Sequence, residues 1–376
     1  MRIAFYAPMK SPDHPTPSGD RRMARALMAA LTLGGHQVDL ASQFRSYDSD
    51  GDRDNQERLR DMGSRLGASM ALKLLDAPET ERPEAWFTYH LYHKAPDWIG
   101  PQISEALGIP YFVAEASFAP KQAGGPWEIG HDAVAATLAE ADGVFTLNPS
   151  DAECVIPLLR SEDRHHSILA FLDPSPFDQA IKLRASHRNQ IADKFHIPSA
   201  PPWLLTVAMM RDGDKLASYR ILAEALQGVR ELPWQLAIVG DGPAAAETKA
   251  LFEPLDKRVT FLGSLENEDL PAIYAACDVY VWPSVNEAYG MALLEAQAAG
   301  LPVVAADVGG VGSIVADGDT GLLTPTPEPS KIADALTSIL EDPPLHREFR
   351  RAAAERVREH HSIAGAAKAL SKVVKG

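Results

Sequence analysis

The sequence predicts an α/β protein built from two doubly wound domains, each around a parallel sheet. Three observations carry this. Short apolar runs alternate with stretches of helical period, the alternation breaks at a Pro-rich segment near the middle, and it then restarts. The 376 residues also exceed the roughly 250 to 300 that one hydrophobic core ordinarily organises. Apolar residues make up 45% and charged residues 23%, which removes the disordered, collagenous and coiled-coil classes. The net charge of −15 is spread over both halves, so no basic footprint for nucleic acid is present and no nucleic-acid partner is expected.

Taken in order, RIAFYAP at 2–8 reads as a strand, because Pro8 breaks the apolar run too early for a secretory signal. Residues 20–33 form a helix with Met23, Leu27 and Leu31 on one stripe, stopped by Gly34-Gly35. HQVDLAS at 36–42 is the next strand, and the acidic stretch Tyr47 to Asn55 reads as a mobile loop. AWFTYH, PYFVAE, DGVFTLN and HSILAFL are further strands, which completes an N-terminal Rossmann-like domain over 1–172.

Pro174, Pro176, Pro198, Pro201 and Pro202 mark 173–202 as an interdomain crossing. WLLTVAMM, WQLAIVG, RVTFLG, DVYVWPS and PVVAAD are strands of a second such domain over 203–356, and a last helix at about 357–376 is expected to pack back on the first domain. In doubly wound sheets ligands sit at the carboxyl ends of the strands, so two sheets in series are expected to face one cleft that closes across the 173–202 crossing. The longest apolar stretch, AAGLPVVAA at 298–306, is interrupted by Gly300 and Pro302 and falls short of the ~18 residues of a membrane span. A soluble cytoplasmic protein is expected, with at most weak peripheral contact at the inner face of the membrane. Cys154 and Cys277 lack metal-ligand spacing and read as buried apolar residues, and neither metal nor cofactor is expected.

The chemistry concentrates between Asp278 and Gly321. A strand ends at Pro283-Ser284, a loop carries Asn286 to Gly290, and a helix follows to Gly300. A loop that enters a helix at the carboxyl end of a strand offers free backbone N–H groups to an anion. Glu287 sits on that loop and Glu295 within the helix, where two carboxylates can accept hydrogen bonds from the vicinal hydroxyls of a sugar. Glu295 is flanked by Leu293, Leu294, Ala296 and Ala298, so the acid there needs a partner or a function.

Pro283, Ser284, Glu287, Tyr289, Gly290, Glu295, Ala296, Ala298, Gly300, Pro302, Val303 and Val304 together resemble the donor-site signature of the retaining glycosyltransferases of family 4, which have the GT-B fold; the spacing of Glu287 and Glu295 is that family's E-x7-E motif. IVGDGP, VTFLGSL and DGDTGLL in the second half, with Pro17-Ser18-Gly19-Asp20 and GGHQVDL in the first, extend the resemblance along nearly the whole chain.

The resemblance implies transfer of a sugar from a nucleotide-sugar donor, UDP- or GDP-linked, to a hydroxyl of a glycan, glycolipid or small molecule, without an obligatory metal. It implies that Glu287 and the backbone of Ala288, Tyr289, Gly290 and Met291 hold the donor sugar, that Glu295 holds the ribose, and that Arg211 and Lys215 meet the diphosphate. Gly19, Gly240 and Leu265 are implied to line the donor. Fixed cations at that place stabilise the charge that develops on the departing diphosphate.

The chain departs from the family pattern in several places. Met210 stands before Arg211 where the family has glycine, only three residues separate Arg211 from Lys215, and Ser313 replaces a frequent glutamate. Glu115 and Ala116 stand where many members have a histidine, while His90 and His93 follow the preceding strand. Glu115, His90 and His93 are therefore expected on the acceptor side, with Glu115 orienting the acceptor hydroxyl. The alternatives are a catalytically degenerate nucleotide-sugar-binding protein and another GT-B enzyme, such as an epimerase.

Overall fold

The computed structural model describes residues 1–16, 18–287 and 290–375, apart from the side chains of Ser150 and Asp256. The chain divides into two compact units, Met1–Leu169 with Ile363–Gly376, and Ala170–Ser362.

Unit 1 runs through β1 (Arg2–Tyr6), α1 (Gly19–Leu33), β2 (Gln37–Ser42), α2 (Arg53–Asp76), β3 (Ala85–Tyr92) and α3 (Gly100–Leu107). It continues with β4 (Tyr111–Ser117), α4 (Glu128–Glu140), β5 (Gly143–Thr146), α5 (Pro149–Val155) and β6 (His165–Ser167). Unit 2 opens with α6 (Ser175–Lys182) and α7 (Arg184–Phe195), then β7 (Trp203–Val207), α8 (Asp214–Gly228), β8 (Gln235–Val239), α9 (Ala245–Phe252) and β9 (Val259–Gly263). It closes with α10 (Leu270–Ala276), β10 (Val279–Trp282), α11 (Met291–Ala298), β11 (Val303–Ala306), α12 (Val311–Ile314), β12 (Gly321–Thr324), α13 (Pro329–Glu341) and α14 (Pro343–His360). The last helix, α15 (Ile363–Val374), belongs to unit 1, where it packs on α1.

Both sheets are wholly parallel among the described residues. The first has the order β2-β1-β3-β4-β5-β6. The second is β12-β11-β10-β7-β8-β9, which in its own strand count is the 3-2-1-4-5-6 order of a Rossmann sheet. Strand order reverses between β1 and β3 in one and between β7 and β10 in the other, and at such switch points the loops diverge and leave room for a ligand. The central strands are buried on both faces, which is why QLAIV, VYVW and VVAA read as unbroken apolar runs.

Six expectations are corrected. Segment 173–202 is no linker: it carries α6 and α7, both packed on α10 within unit 2, and the chain passes between units at 169/170 and 362/363. The helix expected at about 357–376 is two helices, of which α14 lies in unit 2. The acidic stretch 47–55 is pinned, because the buried Asp48 accepts hydrogen bonds from Gly51 N at 2.7 Å and Asn55 Nδ2 at 2.8 Å, and α2 starts at Arg53 under an Asp52 cap. HSILAFL gives only the three-residue β6, at a sheet edge, while the expected turn DGDTGLL contains the start of β12, paired to β11. Cys154 is half-buried and only Cys277 fully so. No helix among the described residues is long and apolar enough to cross a membrane.

One carboxylate organises the amino-terminal edge of the second sheet. Asp278, just before β10, accepts Trp203 N at 2.8 Å, Arg188 at 2.8 Å and Arg184 at 2.7 Å, with Arg350 at 3.9 Å. Arg188 also lies over the Trp203 ring, 4.3 Å from its centre. The arginines come from α7 and α14, so one side chain joins two outer helices to the two central strands. Asp278→Ala removes the acceptor and leaves crowded, partly buried guanidinium groups, whose stranding is expected to cost about 3 kcal/mol. A denaturant midpoint within experimental error of the parent would show that the cluster is dispensable.

Candidate functional site

The loops after β7 and β10 meet at the switch point of the second sheet. Glu287 Oε2 lies 2.5 Å from Lys215 Nζ and accepts Trp282 Nε1–H at 3.2 Å. Lys215 Nζ stands 5.4 Å from the centre of the Trp282 ring. The two charged side chains are 21% and 17% exposed, so the pair is shielded yet open to a ligand. Lys215 is in the first turn of α8, beside Asp214, and the Gly213 cap supplies no side-chain acceptor to that helix end. Arg211 is exposed, and its guanidinium has no hydrogen-bond or ion-pair partner among the described residues.

Local chain chemistry fixes this arrangement. Val285 N donates to Ser218 Oγ at 3.0 Å and Asn286 Nδ2 to Asp214 Oδ2 at 2.9 Å, which ties the loop before Glu287 to α8. Ser284 and Asn286 have φ of 62° and 51°, a left-handed backbone costing about 1–3 kcal/mol per non-glycine residue. The loop before Arg211 is held by backbone hydrogen bonds from Ala208 N to Val239 O and from Met210 N to Asp241 O, each 3.0 Å. Glycine is required beside it: a Cβ on Gly240 would lie 1.9 Å from Ala208 O, and one on Gly242 2.3 Å from Met210 O.

Of the other expected donor residues, Gly290 caps α11 with φ 77°, Met291 opens that helix half-buried, and Leu265 is half-buried against the core of unit 2. Ala288, Tyr289 and Pro17 lie outside the described residues. Glu295 is 1% exposed and accepts Tyr274 O–H at 3.0 Å, so its carboxylate is closed from solvent in this structure. The chemical expectation that this acid has a partner is met by a tyrosine.

In unit 1 the residues expected on the acceptor side separate. His93 is half-buried with its ring 5.6 Å from that of Trp127, and burial holds its pKa below the usual histidine value. His90 and Glu115 instead occupy facing positions on β3 and β4, between the pairs Tyr89–Ala114 and Leu91–Ala116. Both have left-handed backbones, φ 60° and 59°. His90 Nδ1 is 3.0 Å from Asp20 Oδ1 in the first turn of α1, next to the exposed Gly19. Burial alone would lower the His90 pKa, but Glu115, Asp20 and Asp151 raise it above the usual value. Burial would raise that of Asp20, and the bond to His90 brings it below the usual carboxylate value. Sequence reasoning passed over Asp20, Trp282 and Tyr274, because only the folded topology joins each to its partner; the Ser-Gly-Asp start of α1 is the one local signal for Asp20.

Comparison with known proteins bears on the family and the fold. Residues 192–356 match the model of the family described as glycosyl transferases group 1. A D-inositol 3-phosphate glycosyltransferase of Stackebrandtia nassauensis is 33% identical over 221 residues, 55% of this chain and 48% of that protein. The chain thus spans about half the length of that curated relative. Among solved structures, a glycosyltransferase from Rickettsia africae superposes over 100% of this chain and 97% of its own with a TM-score of 0.76 at 16% identity. HepE of Anabaena, solved with UDP-glucose, covers 100% and 99% with a TM-score of 0.69 at 18% identity. The two-unit α/β fold is GT-B.

Gly240→Ala tests whether the loop that carries Arg211 has slack. The added methyl must push Ala208 O away at a backbone angle of 148°, and a loss of about 2 kcal/mol is expected in chemical denaturation. A loss below about 0.5 kcal/mol, the size of an ordinary surface change, would show that the loop moves freely.

Proposed function

We propose that the chain is a retaining glycosyltransferase that moves a sugar from a UDP- or GDP-sugar to a hydroxyl of a glycan, glycolipid or small-molecule acceptor. The observation that carries this reading is the switch-point group of unit 2, where Lys215, Glu287 and Trp282 meet. The family match over residues 192–356 supports it, as does the E-x7-E spacing of Glu287 and Glu295, which is that of family 4.

In this reading the donor replaces the Lys215–Glu287 pair with two new contacts. Lys215 and Arg211 take the diphosphate, and Glu287 takes hydroxyls of the sugar beside the N–H groups that open α11. Glu295 takes the ribose once Tyr274 gives way. The bond between the anomeric carbon and the phosphate oxygen breaks with its electron pair left on phosphate. The acceptor oxygen bonds the anomeric carbon on the same face, and its proton passes to the departing phosphate oxygen. Two fixed cations stabilise the charge as it develops, so the step has no need of a metal. The same reading places the enzyme in the cytoplasm, with at most weak contact at a membrane surface.

Melting curves with UDP, GDP and ADP test the donor site. One of the nucleotides at a hundred times its dissociation constant is expected to add about 2.7 kcal/mol, and Arg211→Ala and Lys215→Ala each to remove most of that gain. Equal stabilisation of the parent and both variants, or none of any of them, would sink the assignment. With a donor found, the anomeric proton coupling of the product reads retention directly, and an inverted product would end that part of the reading.

A further inference from the structure

The first sheet has its own switch point, between β1 and β3, and a pair of side chains bridges it as Lys215 and Glu287 bridge that of the second. Asp20 stands on the helix that follows β1, and His90 lies near the end of β3. Their 3.0 Å contact therefore joins the two elements that diverge there. Every donor residue named above except Gly19, the neighbour of Asp20, lies in unit 2, whereas Asp20 and His90 both lie in unit 1.

The chemistry of the pair is directional. A carboxylate has no proton to give, so His90 Nδ1 carries the hydrogen and donates it to Asp20, which fixes the ring and leaves Nε2 for another partner. The His90 side chain is 18% exposed, enough for one contact from outside. Glu115, opposite on β4, has no hydrogen-bond partner among the described residues. A hydroxyl group matches the two: with the ring protonated, its oxygen accepts from Nε2–H while its hydrogen goes to the Glu115 carboxylate.

Surrounding charge narrows the class of ligand. The charged groups that act most on the pair are Asp20 on α1, Glu115 on β4, Asp151 on α5 and Lys10 in the loop after β1, while the Tyr89 and Tyr92 rings flank the imidazole at 5.7 and 5.0 Å and Arg45, in the loop after β2, acts on Tyr92. Among the groups that act most on the pair itself, carboxylates outnumber cations even with His90 protonated, which disfavours a phosphate and favours an amine.

We propose that His90, oriented by Asp20, binds a hydroxyl of an uncharged or cationic polyol, and that Asp20 is a positioning residue. The polyol's role as acceptor rests on the glycosyl-transfer reading; its binding to the pair does not.

Proton NMR of the His90 ring, identified by its loss in His90→Gln, tests both parts without a donor. In Asp20→Asn the carboxylate charge is gone, and the midpoint of the His90 titration should fall by about one to two pH units. Asp20→Glu should recover much of that shift. An unmoved midpoint, or one that rises, overturns the positioning role, since it would mean that the Asp20 carboxylate does not act on the ring. Saturating myo-inositol or 2-deoxystreptamine should displace the His90 resonances of the parent, and inositol 3-phosphate should not. A response to the phosphate compound, or to none of the three, overturns the ligand class. Nucleotide stabilisation through Arg211 and Lys215 is read separately, so either idea can fail while the other stands.

Discussion

Asp278 is the point on which the second unit turns. Its carboxylate takes the first backbone N–H of β7 and stands one residue before β10, so it sets the two central strands side by side at their amino ends. The strands are short; four residues of β10 cover only about 13 Å at the rise of a parallel strand. Over that distance little else can correct an error in register, and a slip of one residue would turn every side chain to the other face. Glu287 meets Lys215 at the far end because Asp278 has aligned the near end.

The two sheets answer the same geometric problem with different chemistry. Each switch point leaves two diverging loops with polar ends, and each is bridged by groups of opposite character. Lys215 with Glu287 is a cation beside a carboxylate, which suits a contact to be exchanged for a ligand of fixed charge. Asp20 with His90 contains a titrating group, so its hydrogen-bonding offer changes with the carboxylates around it. The strained backbones also cluster at these places: Ser284 and Asn286 near one, His90 and Glu115 at the other.

Where the sequence was legible, burial made it so. β7, β8, β10 and β11 lie at the centre of a sheet covered on both sides, and their apolar runs leave no choice of partner. The peripheral β6 and β12 carry HHS and GLLT, patterns no different from a turn, and their strand character comes from neighbours alone. The helices α6 and α7 are hidden in the sequence because clustered prolines read as a linker, whereas Pro176 sits in the first turn of α6, where its missing N–H costs nothing. The donor-side residues were legible because Glu287 and its neighbours follow one another in sequence. The Asp20–His90 pair spans seventy positions, and only strand order brings it together.

The return of α15 to unit 1 has a consequence for biosynthesis. His36 Nε2 lies 3.2 Å from Ser371 Oγ, and Lys375 Nζ donates to Gly34 O at 3.1 Å, so the carboxyl end of α1 is finished by residues some 340 positions later. On the ribosome the whole of unit 2 emerges before those residues do. The first half of the chain must wait with one side of α1 uncovered, and the half that is made second is the first that can close.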